Sequence, residues 1–185
     1  MAAFRIGRIL LAGMAGWAMC GGLAQAASKA AYRGTADDFV EINQLFARYD
    51  FAIDNGDGEG WADVFTPDGV FRDPSWCAVG REKLIGVVGR EPRVGKDQVH
   101  HHVPTIGPIE YVDRNTAHVH STVMVVAEKG AGKPDGGIQV TGTYDDTIVR
   151  RGGRWLFAYR LVHRPSGKPD VPCEAKPPWV AEIHR

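Results

Sequence analysis

Four polar side chains stand at the ends of apolar runs: Tyr49 and Asp54 in FARYDFAIDNGD, His102 at the head of HVPTIGPIEYV, and Arg160 at the close of WLFAYR. A phenol, a carboxylate, an imidazole and a guanidinium around one apolar interior could move a proton and steady the charge that develops, with no metal or organic cofactor. Each residue also has an ordinary structural explanation. A histidine on an apolar strand face can be a hydrogen-bonded core residue. An aspartate before Asn-Gly can be a loop former, and an arginine across from an aspartate can be a cross-strand ion pair. The catalytic reading gains because Asp54 is available to His102: a carboxylate partner fixes the tautomer of the ring and raises its basicity.

The elements that must position these groups are legible in the pattern. Thr35 with Asp38 three residues on reads as a capping box, and Asp37 and Asp38 suit a helix N-terminus. Phe39, Ile42, Leu45, Phe46, Tyr49 and Ile53 then recur at helical spacing until the turn formers Asn55-Gly56-Asp57-Gly58. A short helix is expected around Trp61 to Phe65, then a turn at Pro67-Asp68-Gly69, a brief strand Val70 to Arg72, and a helix Arg81 to Val88. The second half reads as an antiparallel meander of His100 to Val112, Thr116 to Glu128, Ile138 to Arg151 and Arg154 to His163. Gly152-Gly153 is a strong two-residue hairpin signal, and Gly130 to Gly137 forms a loop. Helices first and a curled sheet afterwards imply an α+β fold, a cone-shaped, mixed or antiparallel sheet wrapped around N-terminal helices.

Hairpin register turns this pattern into geometry. Pairing Val112 with Asn115 sets His102 opposite Val125 and gathers His102, Pro104, Ile106, Val119, Ser121, Val123 and Val125 on one nearly apolar face. His101, Val103, Thr105, His118, His120 and Thr122 fall on the other. His100/His102 and His118/His120 have the alternation of a metal-binding pair, but His120 then lies opposite Gly107, about 17 Å along the ladder from His102. The four cannot share one ion, and no metal site is expected. Pairing Arg151 with Arg154 sets Arg160 opposite Asp145, on a face with Leu156, Ala158, Thr147 and Val149, leaving Trp155, Phe157, Tyr159 and Ile148 on the other.

Residues 1–26 read as a secretory signal: Arg5 and Arg8, an apolar stretch from Ile9 to Leu23, then Ala24-Gln25-Ala26. This places the protein in the periplasm or outside the cell, with no stable membrane insertion. Residues 27–34 follow as a loose start, 35–164 as one domain and 165–185 as a Pro-rich tail. The 22 basic and 22 acidic residues balance, and no basic stripe points to nucleic acid. In an oxidising compartment Cys77 and Cys173 form either a disulfide or two buried thiols; spacing does not decide between them.

With FARYDFAIDNGDGEGWADVFTPDG, Gly80-Arg81-Glu82, HHHVPTIGPI and GTYDDTIVRRGGRWLFAYR in view, the chain resembles the nuclear-transport-factor-2-like superfamily, in its SnoaL-like branch, over roughly Asp37 to His163. Its site pattern is similar to scytalone dehydratases and hexachlorocyclohexane dehydrochlorinases. The resemblance implies Asp54 and His102 as the base dyad, Arg160 as the arginine after the hairpin tryptophan, and Tyr49 as a pocket residue. Ile106 stands where many relatives have asparagine. An exported lyase without cofactor is therefore expected, acting by elimination or carbon–carbon cleavage on an apolar aromatic or polycyclic substrate, with lignin-derived diaryl compounds included. An isomerase and a non-catalytic binder are the alternatives. Trp61, Phe65 and Trp76 are expected at the pocket mouth, with Ile106, Val123 and Val125 along its wall. Relatives commonly form homodimers or homotrimers, and the same is expected here.

Overall fold

The structure, a computed structural model, describes residues 32–90, 100–127, 137–165 and 173. The expected export signal and most of the Pro-rich tail lie outside them. Helix α1 (Ala36–Asp54) starts as its sequence dictates: the Thr35 side chain accepts from the Asp38 N–H, and the Asp38 carboxylate accepts from the Thr35 N–H. Asp38 does more than cap. It also takes hydrogen bonds from the Tyr32 hydroxyl at 2.5 Å and the Trp155 indole at 3.2 Å, and an ion pair from Arg150. Burial alone would raise its pKa, but these donors together with Thr35 lower it to about 2. The hub anchors the start of α1 on the last hairpin and so fixes where the far end of the helix arrives. Phe39, which shares the apolar helical spacing, is instead 56% exposed.

Helix α2 (Gly58–Ala62) is capped by Asp57 and leads into β1 (Phe65–Asp73). The strand is longer than the brief one expected. Pro67-Asp68-Gly69 is not a turn before it but an outward bulge inside it, where register with the partner strand jumps between Phe65 and Val70. The hairpin partner β2 (Trp76–Val79), absent from the sequence reading, precedes α3 (Arg81–Arg90). Arg81 ties α3 to α2 through Glu59 and Asp63.

The remaining strands are β3 (His100–Tyr111), β4 (Thr116–Ala127), β5 (Gly137–Arg151) and β6 (Arg154–His163). The six form one curved, unclosed mixed sheet in the order β2-β1-β6-β5-β4-β3. Only β1 against β6 is parallel. Gly152 and Gly153 have φ of 56° and 80°, the left-handed conformation at both central positions that a tight hairpin favours. The core lies between the helices and the inner face of the sheet. Tyr49 sits at its centre, with ring centroids 5.3 Å from Trp61, 5.6 Å from Phe157, 6.1 Å from Phe65 and 6.4 Å from Tyr144.

Cys77 and Cys173 are joined by a disulfide, with Cα atoms 6.0 Å apart. It ties Cys173 to β2, and Cys173 packs against the cluster of Val70, Tyr159 and Leu161. Among the described residues no helix is long and apolar enough to cross a membrane.

Candidate active site

His102 and Asp54 meet. Asp54 closes α1, where a carboxylate opposes the helix dipole and no basic side chain offsets it. The helix itself therefore disfavours an acid at this position, although the following turn tolerates one. Its partners lie on β3 instead: the carboxylate accepts from the His102 backbone N–H at 3.0 and 3.2 Å, and its Oδ1 lies 2.6 Å from His102 Nδ1. A carboxylate at that distance accepts a hydrogen bond from Nδ1–H and leaves Nε2 as the free acceptor of the ring. The side chains are 9% and 15% exposed, so the pair lies at the rim of the interior.

The wall beside it is the expected one. His102 pairs with Val125, Pro104 with Val123 and Ile106 with Ser121. Val123 and Val125 are buried, and Ile106 packs against the core. The predicted hairpin register is off by one at the turn, where Tyr111 pairs with Ala117, and the bulge at Gly107-Pro108 restores it before His102. Glycine is required there, since a Cβ on Gly107 would stand 2.5 Å from the His120 carbonyl oxygen. Ser121 Oγ and Trp61 Nε1 are buried without a hydrogen-bond partner among the described residues.

Trp61 and Phe65 were expected at the mouth, but they are 0% and 3% exposed and pack in the aromatic floor. They close the interior around Tyr49 instead of edging an opening. Trp76, stacked on Phe71 at 5.1 Å, is half-buried and stays nearer the surface.

Arg160 departs from expectation in a specific way. From Arg151–Arg154 to Ile148–Phe157 the hairpin keeps the predicted register; Ala158 is then an extra residue on β6, and Thr147 pairs with Tyr159. This bulge moves Arg160 opposite Asp146, not Asp145, and turns both inward. The guanidinium donates from Nε at 2.8 Å and from Nη2 at 2.7 Å to the two Asp146 oxygens. It also lies 4.1 to 4.8 Å from the ring centroids of Phe157, Tyr49, Tyr144 and Phe46. Burial opposes the charge, but attraction and hydrogen bonds from Asp146 hold its pKa above the ordinary arginine value. Tyr49 and Tyr144, sealed in the same cluster, stay protonated: burial pushes Tyr49 well above the usual tyrosine range and Tyr144 to about 12. Asp145 turns to the other face, where it bridges His120 at 2.5 Å and His163 at 2.6 Å.

Sequence reasoning missed two acids. Asp146 was hidden by the bulge. Asp50 was passed over although it lies four residues before Asp54, a spacing that puts both on one side of the helix. It is half-buried, and burial raises its pKa from 3.8 to about 7, with Arg160 and His102 opposing the rise.

The chain belongs to the SnoaL-like domain family, whose match spans residues 34–161. That family includes cofactor-independent enzymes such as dehydratases and cyclases, and the fold is one that supports catalysis without a cofactor. Among solved structures the chain is similar to Rv3472 of Mycobacterium tuberculosis, a protein of unknown function, with 29% identity over 80% of this chain and 84% of that one and a TM-score of 0.62. A Catenulispora acidiphila protein in complex with S-DNPA shares 28% identity over 70% and 95% of the two chains, with a TM-score of 0.59. A protein from Novosphingobium aromaticivorans assigned as a scytalone dehydratase shares the fold, at 22% identity over 76% and 96% and a TM-score of 0.57. No curated protein sequence matches the chain.

Proposed function

We propose that this protein is a cofactor-independent lyase in which His102, oriented by Asp54, removes a proton from an apolar aromatic or polycyclic substrate. Elimination of water or another oxygen or halide leaving group follows; retro-aldol carbon–carbon cleavage is the same proton chemistry applied to a hydroxyl. The observation that carries the reading is the 2.6 Å contact between Asp54 Oδ1 and His102 Nδ1, backed by two contacts from the same carboxylate to the His102 N–H. The backbone N–H fixes the carboxylate, and the carboxylate orients the ring through Nδ1, as a general base requires. The wall of Pro104, Ile106, Val123 and Val125 offers no charge and suits a hydrocarbon face. Tyr49 and Arg160 form the floor of the site. Any contact from Arg160 to a departing oxygen would use an N–H other than the two donated to Asp146.

The test is a screen of aromatic and polycyclic alcohols and halides without added cofactor, read by mass spectrometry for loss of water, halide or formaldehyde. Turnover lost in His102→Ala supports the reading. Ligand binding without turnover, indifferent to that substitution, refutes it in favour of a binding protein, and deuterium wash-in without elimination marks an isomerase. The reading keeps residues 1–26 as an export signal and the protein as a homodimer or homotrimer. N-terminal mass spectrometry of secreted protein and light scattering test those two points.

A further inference from the structure

Phe46, Asp50 and Asp54 form one row along α1, each a single helical turn from the next. At one end of the row the Arg160 guanidinium lies 4.8 Å from the Phe46 ring centroid. At the other, Asp54 holds the His102 ring at 2.6 Å. A carboxyl on the middle position is therefore confined between a guanidinium and an imidazole, on the inner side of the sheet. Charged and titratable groups from every neighbouring element act on it: Arg160 on β6, His102 on β3, Tyr49 and Asp54 on α1, and Tyr144 and Asp146 on β5. Among the described residues no side-chain hydrogen bond or ion pair engages the Asp50 carboxyl. Asp146 already takes two of the guanidinium's hydrogen bonds, so Asp50 has no cation of its own and burial favours its neutral acid. An unpartnered inward carboxyl beside an oriented base is the arrangement in which two acids of one type take opposite roles.

We propose that Asp50 is the proton donor of the site, protonating the departing oxygen while His102 takes the proton from carbon. This rests on the reading of His102 as the base. The C–H electron pair becomes the new π bond, and the carbon–oxygen bond breaks with its electrons on oxygen. The Asp50 proton then converts that oxygen to a hydroxyl or to water. The site is left as an imidazolium and a carboxylate, and proton transfer from His102 to Asp50 restores the resting state without a co-reactant. A further consequence concerns the substrate: a group that leaves well as an anion does not need Asp50, and a poor oxygen leaving group does.

The full chain, its Asp50→Asn and its His102→Ala variants are assayed with 1,2-benzisoxazoles, apolar bicycles that open when a base removes the ring proton and the nitrogen–oxygen bond breaks to a phenolate. Asp50→Asn should lower kcat/KM about 100-fold for the unsubstituted compound. It should change the rate less than about 3-fold for the 5,7-dinitro compound, whose phenolate leaves unaided. Equal losses on both, or none on either, overturn the proposal. Retained turnover in His102→Ala, or no opening by the wild type, sinks the base reading instead. In that case Asp50 is judged on a substrate-free measurement, carbon-13 NMR of aspartate-labelled protein. The carboxyl signal absent from Asp50→Asn should titrate near neutrality in the wild type. Titration near the ordinary value of about 3.9 overturns the proposal.

Discussion

Asp54→Asn tests the dyad most sharply, because it keeps the shape of the side chain and removes only its charge and one acceptor. In the structure Asp54 accepts from the His102 ring at 2.6 Å and from its backbone N–H at 3.0 and 3.2 Å. As the ring takes a proton it becomes an imidazolium, and the contact becomes a charge-assisted hydrogen bond. Such bonds contribute about 1.5–3 kcal/mol against about 1 for neutral pairs, so the neutral amide gives up roughly 0.5–2 kcal/mol, or about 2–30-fold in rate. A second loss comes from tautomer choice. An asparagine amide that turns its NH2 toward Nδ1 stabilises the ring form protonated on Nε2, which cannot act as the base; the corresponding change in serine-protease triads lowers kcat about 10⁴-fold. The two effects place the expected loss between about 10² and 10⁴ in kcat. His102→Ala should cost as much, and the double variant little more than the worse single, since residues acting as one unit fail together. Steady-state kinetics on a substrate from the screen, with circular dichroism melts to show folding, decide the matter. A folded Asp54→Asn protein within a few-fold of wild type, or a double variant whose losses multiply, would refute the dyad.

The remaining predictions concern stability. The Cys77–Cys173 disulfide spans a sequence separation of 96, for which chain-entropy scaling gives about 4.7 kcal/mol, so Cys77→Ser should lower Tm by roughly 9–19 °C under non-reducing conditions. An unchanged melt would mean that the bond does not form. Asp38 has its pKa lowered from 3.8 to about 2, so its stabilisation is complete above about pH 5 and lost as pH falls toward 2. Urea denaturation at pH 7 and pH 2 should show about 2 kcal/mol less dependence on acid in Asp38→Asn than in wild type. Asp50 has the opposite sign. Its pKa is raised to about 7, so the folded state loses stability as pH rises from about 4 to about 7. Asp50→Asn should therefore melt higher than wild type at pH 8 and equally at pH 3, and a variant that melts lower at pH 8 would contradict the placement of this carboxyl.

Most of the elements and the wall around His102 are legible in local pattern, while β2 is not. Thr35 and Asp38 specify the start of α1 because a capping box is local chemistry, and Gly152-Gly153 specifies its hairpin because two left-handed residues are a local need. His102 was legible because period-two alternation places it on an apolar wall. The turn and bulge offsets between β3 and β4 cancel before that residue, leaving it opposite Val125 as read. The tertiary structure decided the rest. One inserted residue, Ala158, carries no signature in the sequence, yet it changes the partner of Arg160 from Asp145 to Asp146. Asp50 looks like an ordinary helix acid until Phe46 and Asp54, one turn on either side, are seen to touch Arg160 and His102. The pairing of β1 with β6 and the union of Cys77 with Cys173 join segments far apart in the chain. Local patterns fix local geometry, but a strand bulge or a distant crosslink depends on what the whole chain packs against.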